Sequence, residues 1–287
     1  MVKAALIQMS SYDTKEKNIE AAGKYIKEAA GKGARIICFP ELFNTGFFGY
    51  EANAENFRLA EPIPGGLTTS EMAKIAKEQG VVIIGGIFEE ERKGLYYNTA
   101  VVLGPDGELI GKYRKAHIPM IPGIWLGKFY FTPGDTGFQV FATPLGVRIG
   151  VAICYDRDYP EVFCALGLRG ADLVLVPTCT FDFFRYRWEN MLRAHALANR
   201  YYVGGPCSVG TAFAGNKVMK LQGASVFIDP MGEIIAQAGT EEEEIVYADL
   251  DTEALVKSRT EWFHLRDRRP DLYHNLIKQE VREIWPI

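Results

Sequence analysis

Short apolar runs alternate along this chain with longer segments whose apolar residues recur every three or four positions. The runs at Lys3 to Met9, Arg35 to Phe39, Val81 to Phe88, Val147 to Ile153, Asp172 to Val176 and Tyr202 to Cys207 read as strands. The run from Val147, apolar but for Arg148, reads as a parallel strand buried in a sheet. The helical pattern covers Thr14 to Gly31, Leu67 to Gln79, Val162 to Arg169 and Arg185 to Arg200. Gly31, Gly33 and Gly80 supply helix ends. Tyr96 to Leu103 and Glu108 to Tyr113 form a hairpin across Gly104-Pro105-Asp106-Gly107. Phe138 to Ala142, Ala224 to Asp229, Glu233 to Gln237 and Ile245 to Asp249 are further strands. A similar turn at Asp229-Pro230-Met231-Gly232 hints at a duplicated architecture, and the acidic tip from Gly239 to Glu244 reads as a solvated turn. No Pro/Ser-rich linker interrupts the alternation, so the chain reads as one continuous α/β domain.

Composition narrows the function classes more than it names one. The 287 residues are 48% hydrophobic and 24% charged, with a net charge of −4. Mild acidity gives no case for nucleic acid or an anionic membrane surface. No apolar run approaches the length of a bilayer span. The opening residues lack signal-peptide anatomy, and the five cysteines are odd in number and widely spaced. Reduced thiols in a cytoplasmic protein are therefore expected, with no disulfide framework. The four histidines form no ligand pair at helical spacing, so no metal site is expected.

Candidate chemistry lies at three strand ends. Cys154 closes its apolar strand and is followed by Tyr155-Asp156-Arg157-Asp158-Tyr159-Pro160-Glu161. Pro160 suits the first turn of the next helix. A nucleophile at such a strand-to-helix turn is aimed at substrate and ringed by backbone donors. Taken alone, Cys154 also reads as a buried thiol acting as a small hydrophobe. Two further residues change that reading. Glu41 follows the strand Ile36-Ile37-Cys38-Phe39 and Pro40, and Lys115 ends the hairpin strand in Gly111-Lys112-Tyr113-Arg114-Lys115-Ala116-His117. Functional groups of α/β sheets gather outside the carboxyl ends of strands. A thiol, a carboxylate and an ammonium meeting there supply a nucleophile, a base and an anion stabiliser.

These motifs carry a resemblance. Phe39-Pro40-Glu41, Tyr113-Arg114-Lys115-Ala116-His117 and Ile153-Cys154-Tyr155-Asp156 with Pro160-Glu161 resemble, in order and spread, those of the nitrilase superfamily of carbon–nitrogen hydrolases. The similarity runs from about residue 3 to about residue 260. It implies a four-layer αββα sandwich over residues 1–260; the remaining 261–287, rich in aromatics and Arg, read as an extension packed on the domain or on a partner subunit. It also implies pairing through the sheet-flanking helices into a homodimer or higher homo-oligomer.

The chemistry follows from the residue types. A thiol of ordinary pKa, about 8.5, is mostly protonated at neutral pH. Lys115 favours the thiolate and Glu41 accepts its proton. The sulfur attacks the carbon of an amide, ureido or nitrile group. Lys115 and the backbone N–H of Tyr155 are placed to stabilise charge on oxygen. Glu41 then protonates the departing nitrogen and activates water against the thioester or thiocarbamate. No cofactor is required, and the partner is a small-molecule substrate.

The loop His117-Ile118-Pro119 with Pro122-Gly123 and Trp125, then Phe131-Thr132-Pro133-Gly134-Asp135, resembles the N-carbamoyl amidohydrolase branch, which includes β-ureidopropionase-like and N-carbamoylputrescine-type enzymes. Expected substrate contacts are His117, Trp125, Arg157, Phe48 and Phe181. His117 is expected to hydrogen-bond within the site and hold a loop. Arg157 would take a substrate carboxylate or bridge to Asp156, Asp158 or Glu161; Asp158 would favour an amine. Phe47 and Phe183 join Phe48 and Phe181 as an apolar wall or as core. His195 reads as structural, and Glu189 and Arg193 as a helical pair. Many relatives carry a second glutamate before a run such as Lys128-Phe129-Tyr130-Phe131. Here Trp125-Leu126-Gly127 precedes it, and no acid lies between His117 and Asp135. Asp158 and Glu189 are the candidates to replace it. Besides the carbamoyl reading stand a small amidase, a nitrilase and a catalytically silent binding protein.

Overall fold

The computed structural model describes residues 1–277. In chain order its strands and helices are β1 (Val2–Gln8), α1 (Lys15–Gly31), β2 (Ile36–Cys38), α2 (Leu67–Gln79), β3 (Val82–Arg92), β4 (Leu95–Leu103), β5 (Leu109–Arg114), β6 (Met120–Ile121), β7 (Trp125–Leu126) and α3 (Gly127–Tyr130). There follow β8 (Val140–Ala142), β9 (Arg148–Val151), α4 (Pro160–Leu168), β10 (Leu173–Leu175), α5 (Arg185–Asn199), β11 (Tyr202–Gly205), β12 (Thr211–Ala214), β13 (Lys217–Lys220), β14 (Val226–Ile228), β15 (Ile234–Gln237), β16 (Glu244–Leu250) and α6 (Thr252–Glu261).

Two six-stranded sheets carry the fold, ordered β16-β1-β2-β3-β4-β5 and β15-β14-β11-β10-β9-β8. In the first, β1, β2 and β3 run parallel, β16 flanks them antiparallel, and the β4–β5 hairpin completes the other edge. The second repeats the plan with β9, β10 and β11 parallel, β8 on one edge and the β14–β15 hairpin on the other. The duplication hinted at by the two hairpin turns is thus a duplication of sheet order.

Strand alternation explains the layers. Ala4, Leu6, Ile36, Cys38, Val82 and Ile84 point toward the second sheet and pack with Ile149, Val151, Leu173 and Leu175. Their neighbours Ala5, Ile7, Ile37 and Ile83 face the other way, onto Ile19, Ala22 and Ile26 of α1 and Met72 and Ala76 of α2. Helices α4 and α5 cover the outer face of the second sheet through Leu166, Trp188 and Leu192. The result is the αββα sandwich. Thr14 caps α1 by accepting from the Lys17 N–H, and Gly80 ends α2 at φ 64°.

Several elements escape the hydrophobic pattern, among them the short β6, β7 and α3. The β12–β13 hairpin is mostly exposed, so burial leaves no alternation in its sequence. Helix α6 is polar apart from Leu255 and a few neighbours, and is capped by Asp251, whose side chain accepts from the N–H of Glu253 and Ala254. Arg193 pairs with Glu233 at 3.5 Å across the chain, where Glu189 was the expected partner. In the C-terminal segment, Trp262 lies against the Arg200 guanidinium and His264 accepts from Arg200 Nε at 3.2 Å. The remainder of that segment, 278–287, lies outside the described residues.

Candidate active site

Glu41, Lys115 and Cys154 leave three different strands and meet at one end of the sandwich. Glu41 sits just beyond β2, in a turn where Leu42 takes φ 53°. Gly86 of β3 makes room for it: a Cβ there would lie 2.8 Å from the Leu42 nitrogen and 2.9 Å from the Glu41 Cα. Lys115 follows β5, its backbone N–H donating to the Asn98 carbonyl at 2.8 Å. Its ammonium donates to Glu41 Oε1 at 2.6 Å. Asn98 Nδ2 donates to the same oxygen at 2.7 Å, and the backbone N–H of Cys179 donates to Oε2 at 3.1 Å. These contacts fix a buried carboxylate that would otherwise be costly to desolvate.

Cys154 comes from the second sheet. Beyond β9 the ladder continues through Ala152 N–H and Cys154 N–H, donating to Leu175 and Pro177 carbonyls at 3.0 Å each. The chain then breaks into a 3-10 turn over Cys154–Asp158, with Cys154 at φ 47°. Pro160 opens α4. A left-handed cysteine costs about 1–2 kcal/mol, and here the conformation accompanies the sharp turn at the strand end. Arg157 Nη1 donates to the Cys154 sulfur at 3.5 Å, and the thiol donates to the Cys179 carbonyl at 3.8 Å.

Asp156 ties the two sheets together at this point. Fully buried, it accepts from the Ile153 N–H at 2.9 Å, the Tyr113 hydroxyl at 2.8 Å and the His117 N–H at 3.0 Å. His117 Nδ1 lies 2.8 Å from its Oδ1. The turn bearing the thiol is therefore stitched to the segment bearing Lys115. His195 Nε2, on α5, bonds the Arg157 carbonyl at 2.7 Å, and its ring stacks on Phe163.

Burial, then the Glu41 charge, pushes the Cys154 thiol up to about 11, although Lys115 and Arg157 pull it down. Burial alone would lower Lys115; Glu41 and the sulfur outweigh it and hold the ammonium above its usual range. The resting site thus holds the ammonium beside a protonated thiol. Cys179 is pushed to about 12, chiefly by burial and then by Glu41.

The three groups line a cavity with about 840 Å³ of empty space, part of it open to solvent. Tyr155, Trp125, Arg157, Phe48 and Phe181 also line it, as do Phe47, Asp158 and Arg187. His117 is not part of the lining: its ring is held by Asp156 and stacks on Tyr159 with centroids 3.6 Å apart. This corrects its expected contact with substrate, because the backbone beyond Lys115 carries the ring to the inter-sheet aspartate. Phe183 is exposed and, like Glu189, absent from the lining. The two acids proposed for the missing glutamate therefore separate, with Asp158 at the cavity and Glu189 off it. At Gly127 a Cβ would lie 2.5 Å from the Pro119 carbonyl oxygen, so the loop backbone there excludes a longer side chain. Sequence reasoning missed Asn98 altogether and, for Asp156, its inter-sheet role; their one signal is a polar side chain inside or beside an apolar strand. Among the described residues no cluster of three or more His, Cys, Asp or Glu is arranged to hold a metal ion. No described helix is long and apolar enough to cross a membrane.

Geometry and comparison with known proteins converge on one class. The carbon–nitrogen hydrolase family pattern matches residues 3–260, and the chain belongs to that family of enzymes. It is 37% identical to an N-carbamoylputrescine amidase of Solanum lycopersicum, over 96% of this chain and 95% of the relative. It is likewise 37% identical to the human omega-amidase NIT2, over 94% and 96%. The crystal structure of a carbon-nitrogen hydrolase from Helicobacter pylori G27 superposes with a TM-score of 0.91 at 32% identity, covering 98% of this chain and 99% of that one.

Proposed function

We propose that this enzyme hydrolyses the carbamoyl group of an N-carbamoyl amine or amino acid through a covalent adduct on Cys154. The observation that carries the reading is the meeting of Glu41, Lys115 and Cys154 on one cavity, with Glu41 Oε1 2.6 Å from the Lys115 ammonium. As the Cys154 sulfur attacks the ureido carbon, its proton passes to Glu41. Charge grows on the carbonyl oxygen, opposite Lys115 and the Tyr155 N–H. Glu41 returns the proton to the terminal nitrogen, which leaves as ammonia, and a thiocarbamate remains on the sulfur. Glu41 next takes a proton from water, whose oxygen attacks the same carbon. The thiol is regenerated, and the released carbamate breaks down to amine and carbon dioxide.

The name of the tomato relative, an amidase of a carbamoyl amine, supports the choice of reacting group. Ammonia release from a panel of N-carbamoyl amines, N-carbamoyl amino acids, short amides and nitriles tests it. The expected result is turnover of the ureido compounds with carbon dioxide formed in equal amount. Turnover confined to amides or nitriles would replace the reading, and inactivity of folded protein on the whole panel would leave a binding protein on this fold.

A further inference from the structure

We infer that Arg187 selects substrates whose far end bears a carboxylate, held against the Arg187–Asp158 ion pair at the wall of the cavity. The inference rests on the carbamoyl reading for the reacting end and deepens it at the other end.

The charges of the lining carry the argument. Its cations are Lys115, Arg157 and Arg187, and its carboxylates are Glu41 and Asp158, so the cations outnumber the acids. Glu41 is consumed by Lys115 at 2.6 Å. Arg157 is also spent: it is buried, it donates to the Cys154 sulfur, and its guanidinium lies 5.6 Å from the Trp188 ring centre. Its Nε also lies 4.0 Å from Asp158 Oδ1, the internal bridge that was the alternative to holding a substrate carboxylate. Arg187 is different. Its Nη2 lies 3.0 Å from Asp158 Oδ2, with side-chain exposures of 54% for the arginine and 7% for the aspartate. Asp158 is its one ionic partner among the described residues. A guanidinium has five donors in a rigid fork, so a single contact orients it and leaves donors for a carboxylate.

The helix adds an independent observation. Arg185 and Arg187 stand in the first turn of α5, which carries no acid. Cations at a helix N-terminus oppose its dipole, and a bound anion would relieve that cost. A cationic tail, by contrast, finds both carboxylates of the lining already beside a cation, Glu41 by Lys115 and Asp158 by Arg187, with only the buried Asp158 Oδ1 left without a hydrogen bond among the described residues. Pro119, Ile121, Ile124 and Trp125 line it from the loop after His117, which carries no acid before Asp135. The methylenes between the ends would run along Phe47 and Phe181, whose rings meet edge to face.

Kinetics on the full chain test this with N-carbamoyl-β-alanine, N-carbamoyl-γ-aminobutyrate, neutral N-butylurea and N-carbamoylputrescine. The acids should give the highest kcat/KM and the diamine derivative the lowest. In Arg187→Gln the preference for acid over N-butylurea should fall about 10- to 100-fold, the value of a charge-assisted bond, and the loss should lie in KM more than in kcat. Arg187→Lys should restore part of it, and Arg187→Glu should favour the diamine derivative. Calorimetry on Cys154→Ala with the same compounds reads binding without turnover. Acid binding lost in Arg187→Gln upholds the inference even if no ureido compound is hydrolysed, which would sink the carbamoyl reading alone. Turnover of N-butylurea without preference for the acids, an equal fall for both substrates in Arg187→Gln, or no acid binding to Cys154→Ala overturns the inference.

Discussion

Replacing Glu41 with glutamine keeps the side-chain shape and removes its charge, with opposite consequences for sulfur reactivity and for turnover. In the resting site burial comes first in raising the Cys154 thiol to about 11, and the Glu41 charge and hydrogen bonding come next on the same side. Lys115 and Arg157 act against them. Without the carboxylate, the nearest anion for the buried Lys115 ammonium is the sulfur itself. A neighbouring charge moves a pKa by about 1–3 units, so the thiol should drop to roughly 8–10. At pH 8 the thiolate fraction then rises from about one in a thousand by tenfold to several hundredfold. A less basic thiolate is a weaker nucleophile, with a Brønsted slope of about 0.4–0.5, so alkylation should accelerate roughly 3- to 30-fold. Turnover should fall by about 10²–10⁴, because no group remains to protonate the departing nitrogen or deprotonate water. Iodoacetamide rates from pH 6 to 11, with the label located on Cys154 by mass spectrometry, give the first quantity; ammonia release gives the second. An alkylation rate that slows in Glu41→Gln, or whose midpoint pH does not fall, would refute the account of how the thiol is kept protonated. Turnover within about tenfold of the parent would refute the acid–base role.

Four further outcomes are expected. Cys154→Ala should abolish ammonia release and melt near the parent temperature; substantial residual turnover would contradict a covalent route. Asp156→Ala strips the partner from two backbone N–H groups and the Tyr113 hydroxyl. It should cost about 3 kcal/mol or more, seen by calorimetry as a melting point lower by about 6 °C or more; a drop under about 2 °C would argue against the inter-sheet stitch. Gly86→Ala forces a methyl against the Glu41 backbone, so kcat should fall with KM nearly constant, whereas an unaltered kcat would mean the turn yields freely. The buried His195 titrates below its usual value, chiefly through desolvation. The unfolded chain therefore binds the proton more tightly, near pH 6.5, and the stabilisation is complete above that pH and lost as pH falls through the folded value. Thermal melts from pH 7.5 to 5.5 should slope less in His195→Gln than in the parent; parallel slopes would exclude this residue as a source.

The layers and the three strand-end groups were legible because each depends on local pattern. Val147 to Ile153 is apolar enough to demand burial, and a reactive residue at its end has few bland explanations. The rest of the site was hidden by distance along the chain. Asn98 reaches Glu41 across 57 positions, and Asp156 reaches Tyr113 across 43. Nothing in the text around either residue names its partner. His117 stands two residues from Lys115, which suggested a shared cavity, yet its ring follows the path to Asp156. Arg157 shows the same limit. Of the adjacent acids it keeps Asp158, 4.0 Å from its Nε, and the folded turn also brings its Nη1 to the sulfur, which no residue spacing announces.

The thiol rides on one sheet, while the carboxylate and the ammonium ride on the other, with a layer of interdigitated aliphatic side chains between them. The thickness of that layer thus sets the separation of the reacting groups: a methyl removed from Leu6 or Val151, neither of which lines the cavity, would let the halves settle and alter the gap across which the proton must travel. Interior packing and the alignment of the proton-transfer partners are consequently coupled in this enzyme, so core substitutions between the sheets bear on turnover as well as on stability.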